Sequence, residues 1–271
     1  MPNPTLGCPC EGRHLVDAFA YTARPEGEVA FPLAGEYRRE YRRCTLCQHW
    51  FSHHAMDISA LYGGTYVDAT YGDGMRRAYE RIMALPAERS DNLGRVAAVR
   101  DFAERRFRGT RPAPRLLDVG AGLAVFPTRM KEAGWQCTAL DPDPRAAAHA
   151  REVAGVAAMS GDFRAVAGEL GNFDVVSFNK VLEHVEDPVA MLAASHDRVA
   201  AGGFVYVELP DVAAAIDGPD REEFFIEHHH VFSAASVALL AARAGFHLVA
   251  LESLREPSGK YTLRAFLEPP R

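Results

Sequence analysis

Leu116-Leu117-Asp118-Val119-Gly120-Ala121-Gly122-Leu123-Ala124 decides how this chain is read. An apolar run ends in an acidic residue, a Gly-x-Gly turn follows, and a helical pattern then begins. That order is a β-strand delivering a backbone loop to a ligand. Glycines at 120 and 122 let the main chain come close to something, because no Cβ stands in the way. The dinucleotide fingerprint G-x-G-x-x-G is absent, since its third glycine falls at Val125. Asp118 would also repel a pyrophosphate. A carboxylate at a strand end suits a ligand that carries positive charge.

Working outward, strand and helix patterns alternate from residue 115 onward, which argues for a parallel α/β sheet. Strands are expected over 115–119, 136–140, 156–159, 173–178 and 204–209. Helices are expected over 124–133, 144–153 and 188–200. A helix over 233–244 and strands over 246–253 and 261–267 follow. In doubly wound sheets, ligands sit at the carboxyl ends of the strands. Those ends carry Asp118-Val119-Gly120-Ala121-Gly122, then Asp141-Pro142-Asp143, then Gly161-Asp162-Phe163, and then Asn179-Lys180-Val181-Leu182-Glu183-His184.

The 271 residues are 48% hydrophobic and 24% charged, with a net charge of −6, as expected of a soluble globular chain. The acidic balance gives no nucleic-acid footprint, and the short arginine runs read as solvated faces. No stretch approaches the ~18 apolar residues of a membrane span, and the N-terminus does not read as a signal peptide. A cytoplasmic location follows as an expectation. The five cysteines are then reduced or metal-bound rather than paired in disulfides.

Three regions are expected: residues 1–58, a connector over 59–111, and 112–271. Cys8-Pro9-Cys10 and Cys44-Thr45-Leu46-Cys47 make two thiolate pairs in the first region, the pattern of a zinc ribbon in a lobe too small for its own core. The one-residue gap at Cys8-x-Cys10 leaves His14, His49 or His53 open as a replacement fourth ligand. Reduced, buried cysteines are the plain alternative. The connector holds a helix over 90–108, capped by Ser90, with Val96, Val99, Ala103 and Phe107 on one face. Tyr66 and Tyr71, among glycines, read either as a lid or as an ordinary surface loop.

The D-x-G-x-G stretch resembles the first motif of class I S-adenosylmethionine (SAM)-dependent methyltransferases, with Ala124 in place of the third glycine. Leu182-Glu183-His184-Val185-Glu186-Asp187-Pro188 resembles the L-E-H-x-x-D-P signature of small-molecule methyltransferases. Glu227-His228-His229-His230-Val231-Phe232-Ser233 resembles the E-H-x-x-x-F-S stretch of sugar C-methyltransferases with an N-terminal zinc-binding domain. The resemblance implies a doubly wound sheet of seven strands, the last antiparallel and inserted beside the sixth. It implies that Asp118, Gly120, Ala121 and Gly122 hold the methionine end of SAM. Asp141 and Pro142 take the ribose, Asp162 and Phe163 the adenine, and Asn179 and Leu182 the remaining wall. His184, Glu227 and His228 become the general-base candidates, and Cys8, Cys10, Cys44 and Cys47 the ligands of a structural zinc.

Phe225 departs from the tyrosine often found two before the glutamate, which removes a phenolic group from the acceptor side. A metal at the three adjacent histidines is set aside, because neighbours in sequence seldom reach one ion. The expected function is methyl transfer to a small polar acceptor, a sugar or nucleotide-sugar first. A phenolic or quinone-type O-acceptor and a non-catalytic SAM-binding module are the alternatives. Neither a nucleic acid nor a membrane is expected as a partner.

Overall fold

The computed structural model describes residues 8–11, 14–33, 35–58 and 74–270. Three strands open the chain: β1 (Leu15–Tyr21), β2 (Arg39–Cys44) and β3 (Trp50–His53). They form an antiparallel meander. Two helices follow, α1 (Met75–Met83) and α2 (Asp91–Phe107). Ser90 caps α2 by accepting from Leu93 N at 3.3 Å, and Val96, Val99, Ala103 and Phe107 are all buried. Tyr66 and Tyr71 lie outside the described residues.

The α/β pattern then runs as β4 (Arg115–Val119), α3 (Val125–Glu132), β5 (Gln136–Asp141), α4 (Pro144–Glu152), β6 (Ala157–Ser160) and α5 (Phe163–Val166). It continues with β7 (Phe173–Asn179), α6 (Pro188–Ala193), β8 (Val199–Pro210), β9 (His230–Val231), α7 (Ala234–Arg243), β10 (His247–Arg255) and β11 (Tyr261–Glu268). Seven strands order as β10-β11-β8-β7-β4-β5-β6. β11 runs antiparallel between β8 and β10, and the neighbouring pairs from β8 to β6 are parallel. This is the expected methyltransferase topology.

One expected element is shorter. The helix begun at Pro188 stops at Ala193 rather than reaching 200. Ser195 Oγ donates to the Leu192 carbonyl at 2.6 Å, closing a turn, and Val199 already pairs with Phe173 in the sheet.

Strand periodicity splits the core between the two faces. Leu116, Val175, Phe204 and Tyr206 pack with Val96, Val99 and Phe102 of α2 and Phe126 and Met130 of α3. Their neighbours Leu117, Val176, Val205 and Val207 pack with Val237 and Leu240 of α7 on the other side.

The N-terminal meander is not closed on itself. β9 pairs with β3, Trp50 opposite Val231 and Phe51 opposite His230, giving a second sheet in the order β1-β2-β3-β9. The segment after β8 thus lends the N-terminal lobe its fourth strand.

Candidate active site

The loop after β4 is shaped by its backbone. Gly120 sits at φ +69°, and a Cβ there would lie 2.6 Å from Val181 Cγ2. A Cβ on Gly122, at φ +50°, would meet no described residue within 4 Å. Ala124 also takes a left-handed conformation (φ 56°) as the N-cap of α3. Gly120 N and Ala121 N donate to the Leu140 carbonyl at 2.7 and 3.2 Å, fastening the loop to β5.

Three carboxylates from successive strand ends take different environments. Asp118 is 2% exposed and accepts from Ser177 Oγ and Asn179 Nδ2, both at 2.6 Å. Burial pushes its pKa up to about 7, against those two donors and the Arg95 guanidinium. Asp141 accepts from Gly122 N at 2.8 Å through Oδ2 and from Asp143 N at 2.9 Å through Oδ1. It ties the glycine loop to the end of β5, with Pro142 directly behind it. Asp162 caps α5 by accepting from Arg164 N at 2.8 Å. Phe163 is turned into the core, 2% exposed, its ring centroid 5.7 Å from that of Phe178. Leu182 is fully buried in the same cluster.

Beyond β7 the chain brings two distant motifs together. The rings of His184 and His228 meet edge to face with centroids 4.8 Å apart. His184 Nδ1 lies 2.9 Å from the Glu227 carbonyl and His228 Nδ1 lies 3.0 Å from the Glu223 carbonyl. A carbonyl oxygen only accepts, so each Nδ1 carries the proton and each Nε2 holds a lone pair. Burial holds His184 at about 4 and His228 well below the usual imidazole value, so both rings are neutral at pH 7. Glu227 is pushed by burial to about 7, as is Glu183, whose two carboxyl oxygens are buried without a hydrogen-bond partner among the described residues. Glu183, His184 and His228 offer ligand atoms within 4.8 Å of one another, a donor set that a divalent cation could also use.

A buried ion network backs this edge of the sheet. Glu208 pairs with Arg95 and, at 2.9 Å, with Arg264, which also pairs with Glu256 at 2.9 Å. Burial would raise the Glu208 pKa, but the two guanidiniums outweigh it and hold the carboxyl at about 2. Lys180, at φ 59°, donates to Thr262 Oγ1 at 2.8 Å.

The N-terminal lobe gathers Cys8, Cys10, Cys44 and Cys47, with Sγ separations of 2.8 Å (Cys8–Cys47), 3.2 Å (Cys8–Cys10) and 3.6 Å (Cys10–Cys44). Each pair sits on a tight turn, closed by Glu11 N to the Cys8 carbonyl and by Gln48 N to the Cys44 carbonyl. Glu11 and Gln48 both take left-handed conformations there. All four Sγ atoms lie within 4.8 Å of one another, and the set fits a tetrahedral zinc. The ~2.3 Å Zn–S bonds of such an ion imply sulfur separations near 3.8 Å, so the cluster would open slightly around it. His49 is turned away, toward Ser236 Oγ (3.2 Å) and His230 Nδ1 (3.0 Å). Cys137 lies apart in β5, its thiol pushed by burial to about 12.

A family model described as a methyltransferase domain matches residues 79–251. The chain belongs to this family. Among curated relatives of this methyltransferase domain, the chain is 34% identical over 131 residues to the "Ubiquinone biosynthesis O-methyltransferase" of Methylocella silvestris. That match covers 42% of this chain and 51% of the relative. A protein of the same description from Xanthomonas campestris is 32% identical over 102 residues, covering 35% and 43%. The chain therefore spans about half the length of the curated relatives it matches or less. Among solved structures, magnesium protoporphyrin IX methyltransferase from Synechocystis with bound SAH superposes with TM-score 0.58 at 16% identity, over 79% of this chain and 100% of that one. A glycopeptide N-methyltransferase superposes with TM-score 0.50 at 18% identity, over 65% and 90%. These likenesses show the class I SAM-dependent methyltransferase fold.

Some methyltransferase-domain residues at this edge escaped the sequence reading. Ser177 stands two before Asn179 on the same face of β7, so strand alternation could have paired both with Asp118. Glu183 stood inside the quoted L-E-H motif without an assigned role. Arg95 and Glu208 carried no local signal, because they meet only through the packing of α2 on β8.

Proposed function

We propose that this protein transfers a methyl group from SAM to a hydroxyl of a small phenolic or quinone-type acceptor. The observation that carries the reading is the pair of neutral imidazoles, His184 and His228, facing each other beyond β7 with each Nδ1 committed to a backbone carbonyl. The relatives' names favour this acceptor over the sugar or nucleotide-sugar implied by the E-H-x-x-x-F-S stretch.

SAM, when bound, supplies an electrophilic methyl on a sulfonium. The loop of Gly120, Ala121 and Gly122 and the carboxylate of Asp118 would face its methionine end. Asp141 with Pro142 would face the ribose, Asp162 the adenine and Asn179 the wall between, while Phe163 and Leu182 would support that edge from the core. Glu227, at about 7, is matched to take a proton at neutral pH. His228 would orient the acceptor hydroxyl through Nε2, with the His184 ring packed against it. The acceptor hydroxyl would give its proton to Glu227 as its oxygen takes the methyl, the new C–O bond replacing the S–C bond of the donor, which would leave as a neutral thioether. Most of the rate comes from positioning. Residues 1–58 would act as a zinc-binding lobe, 59–111 as a connector and 112–271 as the catalytic domain. Zinc at Cys8, Cys10, Cys44 and Cys47 would be structural.

The test is a panel of catechols, hydroquinones and sugar nucleotides incubated with SAM and read by mass, with and without a chelator. A methylated phenol is expected. A methylated sugar alone would replace the acceptor reading. SAM binding with no product from any class would support the non-catalytic alternative.

A further inference from the structure

The segment from Phe224 to His229 carries Glu227 and His228, yet its course is set largely by side chains of the N-terminal lobe. Glu28 and Arg39 form an ion pair at 2.7 Å with both side chains fully buried. Arg39 Nη1 donates to the Phe224 carbonyl at 2.6 Å, and Glu28 Oε2 accepts from Ile226 N at 2.7 Å. Tyr41 OH donates to the His228 carbonyl at 2.7 Å, with the Phe225 carbonyl 3.3 Å away. Tyr37 locks the pair from behind, donating to Glu28 Oε1 and accepting from Arg39 Nε, both at 2.5 Å. Ser52 N, in β3, donates to the His229 carbonyl at 3.0 Å.

This is more than a surface of contact. A buried guanidinium and carboxylate are geometrically demanding partners, and here each also holds a backbone group of the same short segment. Opposite them, His184 Nδ1 holds the Glu227 carbonyl, and His229 N donates to the Glu183 carbonyl at 2.8 Å. The segment is therefore gripped from two sides, by the lobe and by the Glu183–His184 turn. The peptide plane that aims the His228 ring lies between the two grips.

We propose that Tyr41 and the Glu28–Arg39 ion pair are positioning residues for methyl transfer, holding the backbone of residues 224–228 so that His228 stands opposite His184. The proposal rests on the acceptor side described under Proposed function. It makes the N-terminal lobe the rear wall of the acceptor site rather than an appended binding module.

Tyr41→Phe removes one hydroxyl and keeps the ring. In the full-length, metal-loaded protein, with catechol as acceptor, kcat should fall on the order of tenfold to a hundredfold, because small misplacements of reacting groups carry costs of that size. The SAM dissociation constant should stay unchanged. The His228 ring signals in NMR should shift, and the amides of Ile226 and His229 should exchange with deuterium about tenfold faster, since each loses part of its hold. Should Tyr41→Phe fail to fold, Arg39→Lys keeps the charge beside Glu28 but cannot reach the Phe224 carbonyl as well, and is expected to give the same pattern more weakly. Unchanged kcat with unchanged His228 signals would overturn the proposal. So would a parallel loss of SAM affinity, turnover and melting temperature, the mark of a merely structural role. If the wild-type protein methylates nothing, the function reading fails on its own. The His228 shift and the amide exchange then still decide whether the lobe sets this segment.

Discussion

Asp118 is expected to set how SAM binding responds to pH. With its pKa near 7, the ligand-free carboxyl is about half protonated at neutral pH. A cation placed beside it lowers that pKa, so the bound state holds fewer protons and affinity rises with pH through about 7. Calorimetry of SAM binding near pH 7 in buffers of different ionisation heat should detect a fraction of a proton released, and Asp118→Asn should abolish it. A buffer-independent heat in the wild type would refute the assignment. Asp141 supplies a different test. Asp141→Ala removes the acceptor for Gly122 N and Asp143 N. Hydrogen bonds to a charged group are worth about 1.5–3 kcal/mol, so SAM binding should weaken on the order of tenfold or more. Gly120→Ala combines a left-handed φ with a 2.6 Å approach to Val181, and should cost at least about 1–2 kcal/mol in chemical denaturation.

At the scale of elements, the start of α7 joins the two halves of the molecule. Ser233 and Ser236 form a reciprocal capping box, with Ser236 N donating to Ser233 Oγ at 3.0 Å and Ser233 N donating to Ser236 Oγ at 2.9 Å. Ser233 Oγ also donates to the Cys47 carbonyl, inside the cysteine turn. Ser233→Ala loses both roles and should destabilise by about 1–2 kcal/mol in urea. A loss confined to a few tenths would mean that the cap stands without the lobe. The sequence made Ser233 readable as a helix cap. Its bond to Cys47 was hidden, because 186 residues separate the two.

Across the whole molecule, the shared strand β9 couples the lobe to the catalytic fold. Metal analysis should find about one zinc per chain, and Cys44→Ser should lower the melting temperature of the entire protein. Because β3 holds β9, and Glu28, Arg39 and Tyr41 hold residues 224–228, the lobe should not melt as a separate unit. Calorimetric unfolding should show one main transition, and two resolved transitions would argue for independent domains.

The amino-acid sequence by itself determined the order of strands and helices from Arg115 onward, the glycine loop, the acids at the strand ends and the paired cysteines. These are local signals, because hydrophobic period, turn residues and capping residues act over a few positions. Tertiary structure alone decided that Phe163 is committed to the core, that Glu183 joins His184 and His228, and that the N-terminal lobe grips the segment bearing Glu227 and His228. Those outcomes depend on groups far apart in the chain whose meeting is set by burial and by satisfying buried polar atoms. No local pattern records such a meeting. The stretch from Leu116 to Ala124 could therefore announce a ligand loop, while the meeting of His184 with His228 exists only in the tertiary structure.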